Sequence, residues 1–140
     1  MQKHSTSTQE IESLRALVDR DLKDANIGEL SPDRRFATAY NAVLQLSKMA
    51  TACAGYRVST GAGHHQKTFE AVKTAVSSMP IAPLTDYFET CRRRRNKIDY
   101  DGAEVVSGTE VAELLENAHE FKKLIENWIS DNYPTYKETR

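Results

Sequence analysis

Val111, Leu114, Leu115, Ala118, Phe121, Leu124, Ile125 and Trp128 recur at intervals of three and four, a spacing that gathers them on one face only if the chain is an α-helix. Lysines and glutamates fill the opposite face. Helical spacing returns in four other segments, and no run alternates with a period of two for long enough to make a convincing strand. A chain of 140 residues fits one domain, able to bury about two-thirds of the surface its unfolded form exposes. No internal repeat of about 20 to 50 residues is visible. These features predict an all-α fold, an up-and-down bundle of four long helices plus one short helix.

Local signals set the expected boundaries. Residues 1–8, rich in Ser and Thr, predict a flexible tail, and one of those hydroxyls, with Glu10 close behind, caps a first helix starting near Gln9. Ile11, Leu14, Leu17, Val18, Leu22 and Ala25 form its stripe until Asn26 and Gly28 stop it. Ser31-Pro32-Asp33 supplies a cap, a first-turn proline and an acid at the positive end of the dipole, predicting a second helix from Pro32 to about Ala54. Its many small residues, among them Ala39, Ala42, Ser47 and Ala50, let neighbouring helices approach and place it at the centre of the bundle. After a glycine-rich loop over Gly55 to Gly63, Phe69, Val72, Ala75 and Val76 predict a short third helix from Thr68 to Ser77, closed by Pro80 and Pro83. A fourth helix is expected from Pro83 or Leu84 to Asp99, and Ser107 or Thr109 caps the fifth. The domain should span 9–130, with 131–140 a C-terminal tail.

Chemistry is mostly limited by absences. With 19 basic against 20 acidic residues the net charge is −1, so no overall field attracts nucleic acid and any such binding needs a local patch such as Arg92 to Lys97. Cys53 and Cys91 each sit inside an apolar helical pattern and read as buried, reduced thiols. The N-terminus lacks the apolar run of a signal peptide, and no stretch approaches the ~20 apolar residues that cross a bilayer, which predicts a cytoplasmic protein without membrane contact. Gly-rich phosphate loops, paired cysteines, His-Glu-x-x-His and nucleophile elbows are all missing, so no cofactor or metal is expected and the balance leans against an enzyme. His64 and His65 lack a carboxylate or cysteine at ligand spacing and read first as capping, solvated residues. Asp19, Asp21 and Asp24 are interleaved with Arg15, Arg20 and Lys23 and read as a solvated face.

One segment breaks the amphipathic pattern. Read as a helix, Leu84, Tyr87, Phe88, Cys91 and Ile98 share a stripe, and Arg95 projects into its middle, whereas Arg93 points away and Arg92 and Arg94 sit at its edges. A guanidinium stays charged at any ordinary pH, so an inward Arg95 requires a carboxylate, a phosphate or carbonyls within reach. Two accounts satisfy it: an ion pair, with Asp99 one turn on, or an anionic ligand. Asn96 and Asp99 can also simply end the helix before the Asp101-Gly102 turn.

The run Arg95-Asn96-Lys97-Ile98-Asp99-Tyr100-Asp101, a short loop, and then Val-Ala-Glu-Leu-Leu-Glu-x-Ala-x-Glu-Phe from Val111 resemble the HEPN superfamily of small helical bundles. The likeness covers roughly Ile11 to Trp128 and is strongest from Tyr87 onward. It implies a homodimer in which the arginine-bearing helices line a shared cleft. Many members are metal-independent endoribonucleases of toxin–antitoxin or defence systems, with a polar residue directly after the arginine and a histidine four to six residues further on. Arg95 and Asn96 match that beginning, but Tyr100 stands where the histidine belongs, as in a histidine-lacking branch. Tyrosine, with an ordinary pKa of about 10, poorly replaces a group that shuttles protons near neutrality. The resemblance therefore implies a non-catalytic module binding a nucleotide, RNA or a partner protein through Arg94, Arg95, Asn96, Asp99 and Tyr100, with a nucleotidyltransferase as a possible companion. The alternatives are a ribonuclease built on Arg95 and Tyr100 with a displaced base such as His64, His65 or His119, and a bundle in which Arg95 makes only a structural ion pair.

Overall fold

The structure, a computed structural model, describes the chain apart from residues 62, 102–104 and 140 and the side chains of Asp99 and Asp101. The described residues form an all-α bundle of five helices: α1 (Thr8–Ala25), α2 (Pro32–Cys53), α3 (His64–Ala75), α4 (Ala82–Asp101) and α5 (Gly108–Asn132), followed by a 3-10 turn over Pro134–Tyr136. None of these helices is long and apolar enough to cross a membrane.

Caps explain the helix starts. The Ser7 hydroxyl accepts from Glu10 N, and Ser31 accepts from Arg34 N with Pro32 opening α2. Ser107 and Glu110 complete a reciprocal capping box on α5. Helix α3 begins at His64, four residues earlier than Thr68, because Gly63 takes the left-handed conformation (φ 76°) and releases a polar first turn that no apolar register announces. Helix α4 likewise begins at Ala82 and continues to Asp101, past the expected end at Asp99.

Helix α2 packs against each of the other four helices, with Ala39, Ala42 and Ala50 fully buried at the contacts, as its small side chains predict. A run of aromatic rings then crosses the bundle: Tyr40 on α2 meets Phe69 on α3 at 6.0 Å, Phe69 meets Phe88 on α4 at 6.0 Å, and Phe88 meets Phe121 on α5 at 5.1 Å. All four are among the largest fully buried side chains, each worth roughly 1.5–3 kcal/mol in removal from water. Tyr40 stands at the end of that run, which fixes the floor of the site described below.

The N-terminal residues, expected as a tail, are tied down. Gln2–Lys3 (β1) pairs antiparallel with Tyr56–Arg57 (β2), Gln2 opposite Arg57 and Lys3 opposite Tyr56. His4 N donates to Gly55 O at 2.9 Å, and Glu10 takes hydrogen bonds from Thr6 and His4, both at 2.7 Å. Thr6 and then His4 hold the Glu10 carboxyl below its ordinary value. At the other end, Tyr136 O accepts from Arg15, which docks the 3-10 turn onto α1.

Candidate functional site

Arg95 lies one turn beyond Cys91 on α4, and the burial of Phe88 and Cys91 sets the face of the helix it occupies. Its guanidinium carbon sits 5.7 Å from the centre of the fully buried Tyr40 ring, within the range of a cation–π contact. The arginine thus turns toward the bundle, as the apolar stripe predicts. The Tyr40 hydroxyl in turn lies 3.2 Å from Nδ1 of His65, in the first turn of α3, and His64 meets His65 edge to face at 4.4 Å. Three helices therefore converge on one cluster: Tyr40 from α2, His65 from α3 and Arg95 from α4.

Charge and burial act on both members of the pair. Burial, with the positive fields of His64, Arg95, Lys48 and Arg92, depresses the His65 pKa to about 4. Its imidazole is consequently neutral near pH 7. Burial also pushes the Tyr40 hydroxyl above its ordinary value despite the opposing pull of Arg95, so it stays protonated. With both groups neutral, the contact accommodates two tautomers: the Tyr40 O–H donates to Nδ1 with the imidazole proton on Nε2, or Nδ1–H donates to the Tyr40 oxygen and leaves Nε2 free to accept.

The neighbouring arginines serve other ends, because successive residues on a helix diverge by about 100°. Arg94 forks onto Glu110, with Nε to Oε2 at 2.7 Å and Nη2 to Oε1 at 3.0 Å, and also donates to Val105 O at 2.7 Å. Arg94 thereby lowers the Glu110 carboxyl pKa and clamps α4 to the start of α5. Arg92 pairs with Glu89 on its own helix at 3.2 Å. Arg93, Asn96 and Lys97 are exposed, and Tyr100 is 89% exposed near the helix end. The expected Arg95–Asp99 pairing, and Asp99 as a ligand-binding residue, lie outside the described residues. His119 is exposed on α5.

Sequence reasoning missed Tyr40 and Lys48. Tyr40 reads as one more apolar residue of α2, and nothing local links either residue to Arg95. It also misjudged the α1 face expected to be solvated. Arg15 is 4% exposed and Asp21 5% exposed, while Asp19 pairs with Lys122 of α5 at 3.0 Å. The two cysteines are free and buried, and burial pushes each thiol up to about 12, which leaves them unreactive. Among the described residues, no three His, Cys, Asp or Glu side chains gather as a metal would require. Comparison of this chain with protein-family models, with characterised proteins and with solved structures finds no match.

Proposed function

We propose that this chain is a non-catalytic HEPN-like module that binds RNA or a nucleotide phosphate through the cluster around Arg95. The observation that carries the reading is the convergence of three helices on one cluster, with the Arg95 guanidinium 5.7 Å from the centre of the Tyr40 ring and the Tyr40 hydroxyl 3.2 Å from His65 Nδ1. A guanidinium there can take a phosphate through charge-assisted hydrogen bonds. Exposed Asn96 directly follows Arg95 and can orient such a group, and Tyr100 offers a ring for stacking. The same reading includes a homodimer with a shared cleft and a role in a toxin–antitoxin or defence system beside a nucleotidyltransferase.

Single-stranded RNA carrying a fluorescent end label, mixed with the protein in chelator, should bind and stay intact. Arg95→Ala should weaken binding roughly 10-fold or more, the equivalent of one hydrogen bond to a charged group. Unchanged affinity, with only a lower melting temperature, would instead assign Arg95 to a structural ion pair.

A ribonuclease reading ranks second, favoured by the Tyr40–His65 contact beside Arg95. In the tautomer that donates Nδ1–H to the Tyr40 oxygen, Nε2 can accept the 2′-hydroxyl proton while the guanidinium offsets charge on the phosphate. A pKa near 4 makes His65 a weak base, which places binding ahead of catalysis. RNA cleavage in chelator that disappears in both His65→Ala and Arg95→Ala would reverse the order.

A further inference from the structure

On the other side of the histidine pair, between α1, α2, β2 and the start of α3, lies a cavity of about 260 Å³ that includes His64 but neither Tyr40 nor Arg95. Ligand pockets run from roughly 300 to 1,000 Å³, so this volume suits a single small ring and excludes a nucleic-acid strand. Three features of the lining describe the guest. Lys48, Arg57 and His64 bring positive charge or donors to one cavity. Its acid, Glu10, accepts from Thr6 and His4 and lies in the field of Arg57, so it offsets part of that charge. Helix α3 opens here on Gly63 without a side-chain cap, adding the positive end of a 12-residue helix to the same wall.

The second feature is apolar. Leu14 and Ala52 line the cavity beside Tyr56, a large hydrophobic residue that is 39% exposed. A flat ring can lie against it. The third concerns hydroxyls: Thr51 donates to Ser47 O at 2.8 Å and Thr68 donates to His64 O at 2.7 Å. Both protons are spent within their own helices, so each oxygen can only accept from a guest.

We infer that this cavity binds a small aromatic carboxylate with a ring hydroxyl, its anion toward Lys48, Arg57 and His64, its ring against Tyr56, and its hydroxyl donating to Thr51 or Thr68. The cavity borders the Arg95 cluster through Lys48 and His64 but contains neither Arg95 nor Tyr40, so the inference does not rest on RNA binding there. The probe is 4-hydroxybenzoate, titrated by calorimetry and by amide shifts in NMR spectra of the full chain. Saturable binding with shifts at Thr51, His64 and Thr68 is expected. Phenol, lacking the anion, and inorganic phosphate, lacking the ring, should each bind at least 10-fold more weakly. Arg57→Glu and Tyr56→Ala, both at exposed positions, should each weaken 4-hydroxybenzoate binding at least 10-fold, whereas Arg95→Ala should leave it unchanged. Absence of saturation at millimolar probe overturns the inference, as does equal binding of phosphate or phenol. Loss in Arg95→Ala alone would move the ligand to the other cluster and overturn it too.

Discussion

Arg15 and Arg95 are both arginines turned inward on helices, and the contacts of Arg15 define a structural role. Arg15 forks onto Glu126, with Nε to Oε2 at 2.6 Å and Nη2 to Oε1 at 2.8 Å, contacts Glu12, and donates to Tyr136 O at 2.8 Å. The Glu126 hydrogen bond raises its pKa, and the side chain is only 4% exposed. Arg15→Ala would strand Glu126, 12% exposed, without its cation and should cost about 3–5 kcal/mol, measured by urea denaturation. A loss below about 1 kcal/mol would mean that water replaces the guanidinium freely. The Arg95 guanidinium lies over an aromatic face, 5.7 Å from the centre of the Tyr40 ring.

His65 gives a second prediction at this scale. Its folded pKa, about 4, lies below the ordinary 6.5, so between those values the unfolded chain binds the proton more readily than the folded one. Its contribution to stability is complete above pH 6.5 and is lost as pH falls toward 4. Glu10 and Glu110, lowered from 4.5, act only below that value, so melting curves from pH 6.5 to 5 isolate the histidine. His65→Gln should flatten the decline in Tm across that window. An unchanged slope would mean that His65 is solvated.

Among the elements, α3 is the one whose placement matters most, because its first turn carries both histidines. Gly63 precedes it at φ 76°, a conformation costing a residue with a Cβ roughly 1–2 kcal/mol. A Cβ there meets no atom within 4 Å, so the penalty of Gly63→Ala is conformational alone. Melting temperatures should order wild type above Gly63→Asn above Gly63→Ala, since asparagine tolerates the left-handed region better. Equal values for the two variants would point to a start of α3 that shifts instead of straining. At the opposite end of the bundle, Asp33 in the first turn of α2 accepts from Val105 N and Val106 N at 3.0 and 2.9 Å, and Arg94 also bonds Val105 O. The approach to α5 is thus lashed from two helices.

For the whole molecule, the aromatic run from Tyr40 to Phe121 ties four helices into one core and makes the Arg95 cluster a product of global packing. The proposed homodimer brings the α4 helices of two copies together, and that helix carries the exposed Asn96 and Tyr100. Sedimentation should then report a particle near twice 15.8 kDa. A monomer at high protein concentration would remove the shared cleft, leaving Arg95 to act within one chain.

Sequence alone determined the helical class, the number of helices, the central place of α2 and the inward turn of Arg95. Those follow from interactions within a few residues: caps at Ser7, Ser31 and Ser107, and apolar spacing that reports which face is buried. Only the tertiary structure decided which partners the charged groups meet. Tyr40 and His65 are 25 positions apart, Gln2 and Arg57 are 55 apart, and Arg15 and Glu126 are 111 apart. Such pairings depend on how whole helices rotate and dock, a choice made by the summed burial of the core and not by any residue's neighbours in the chain.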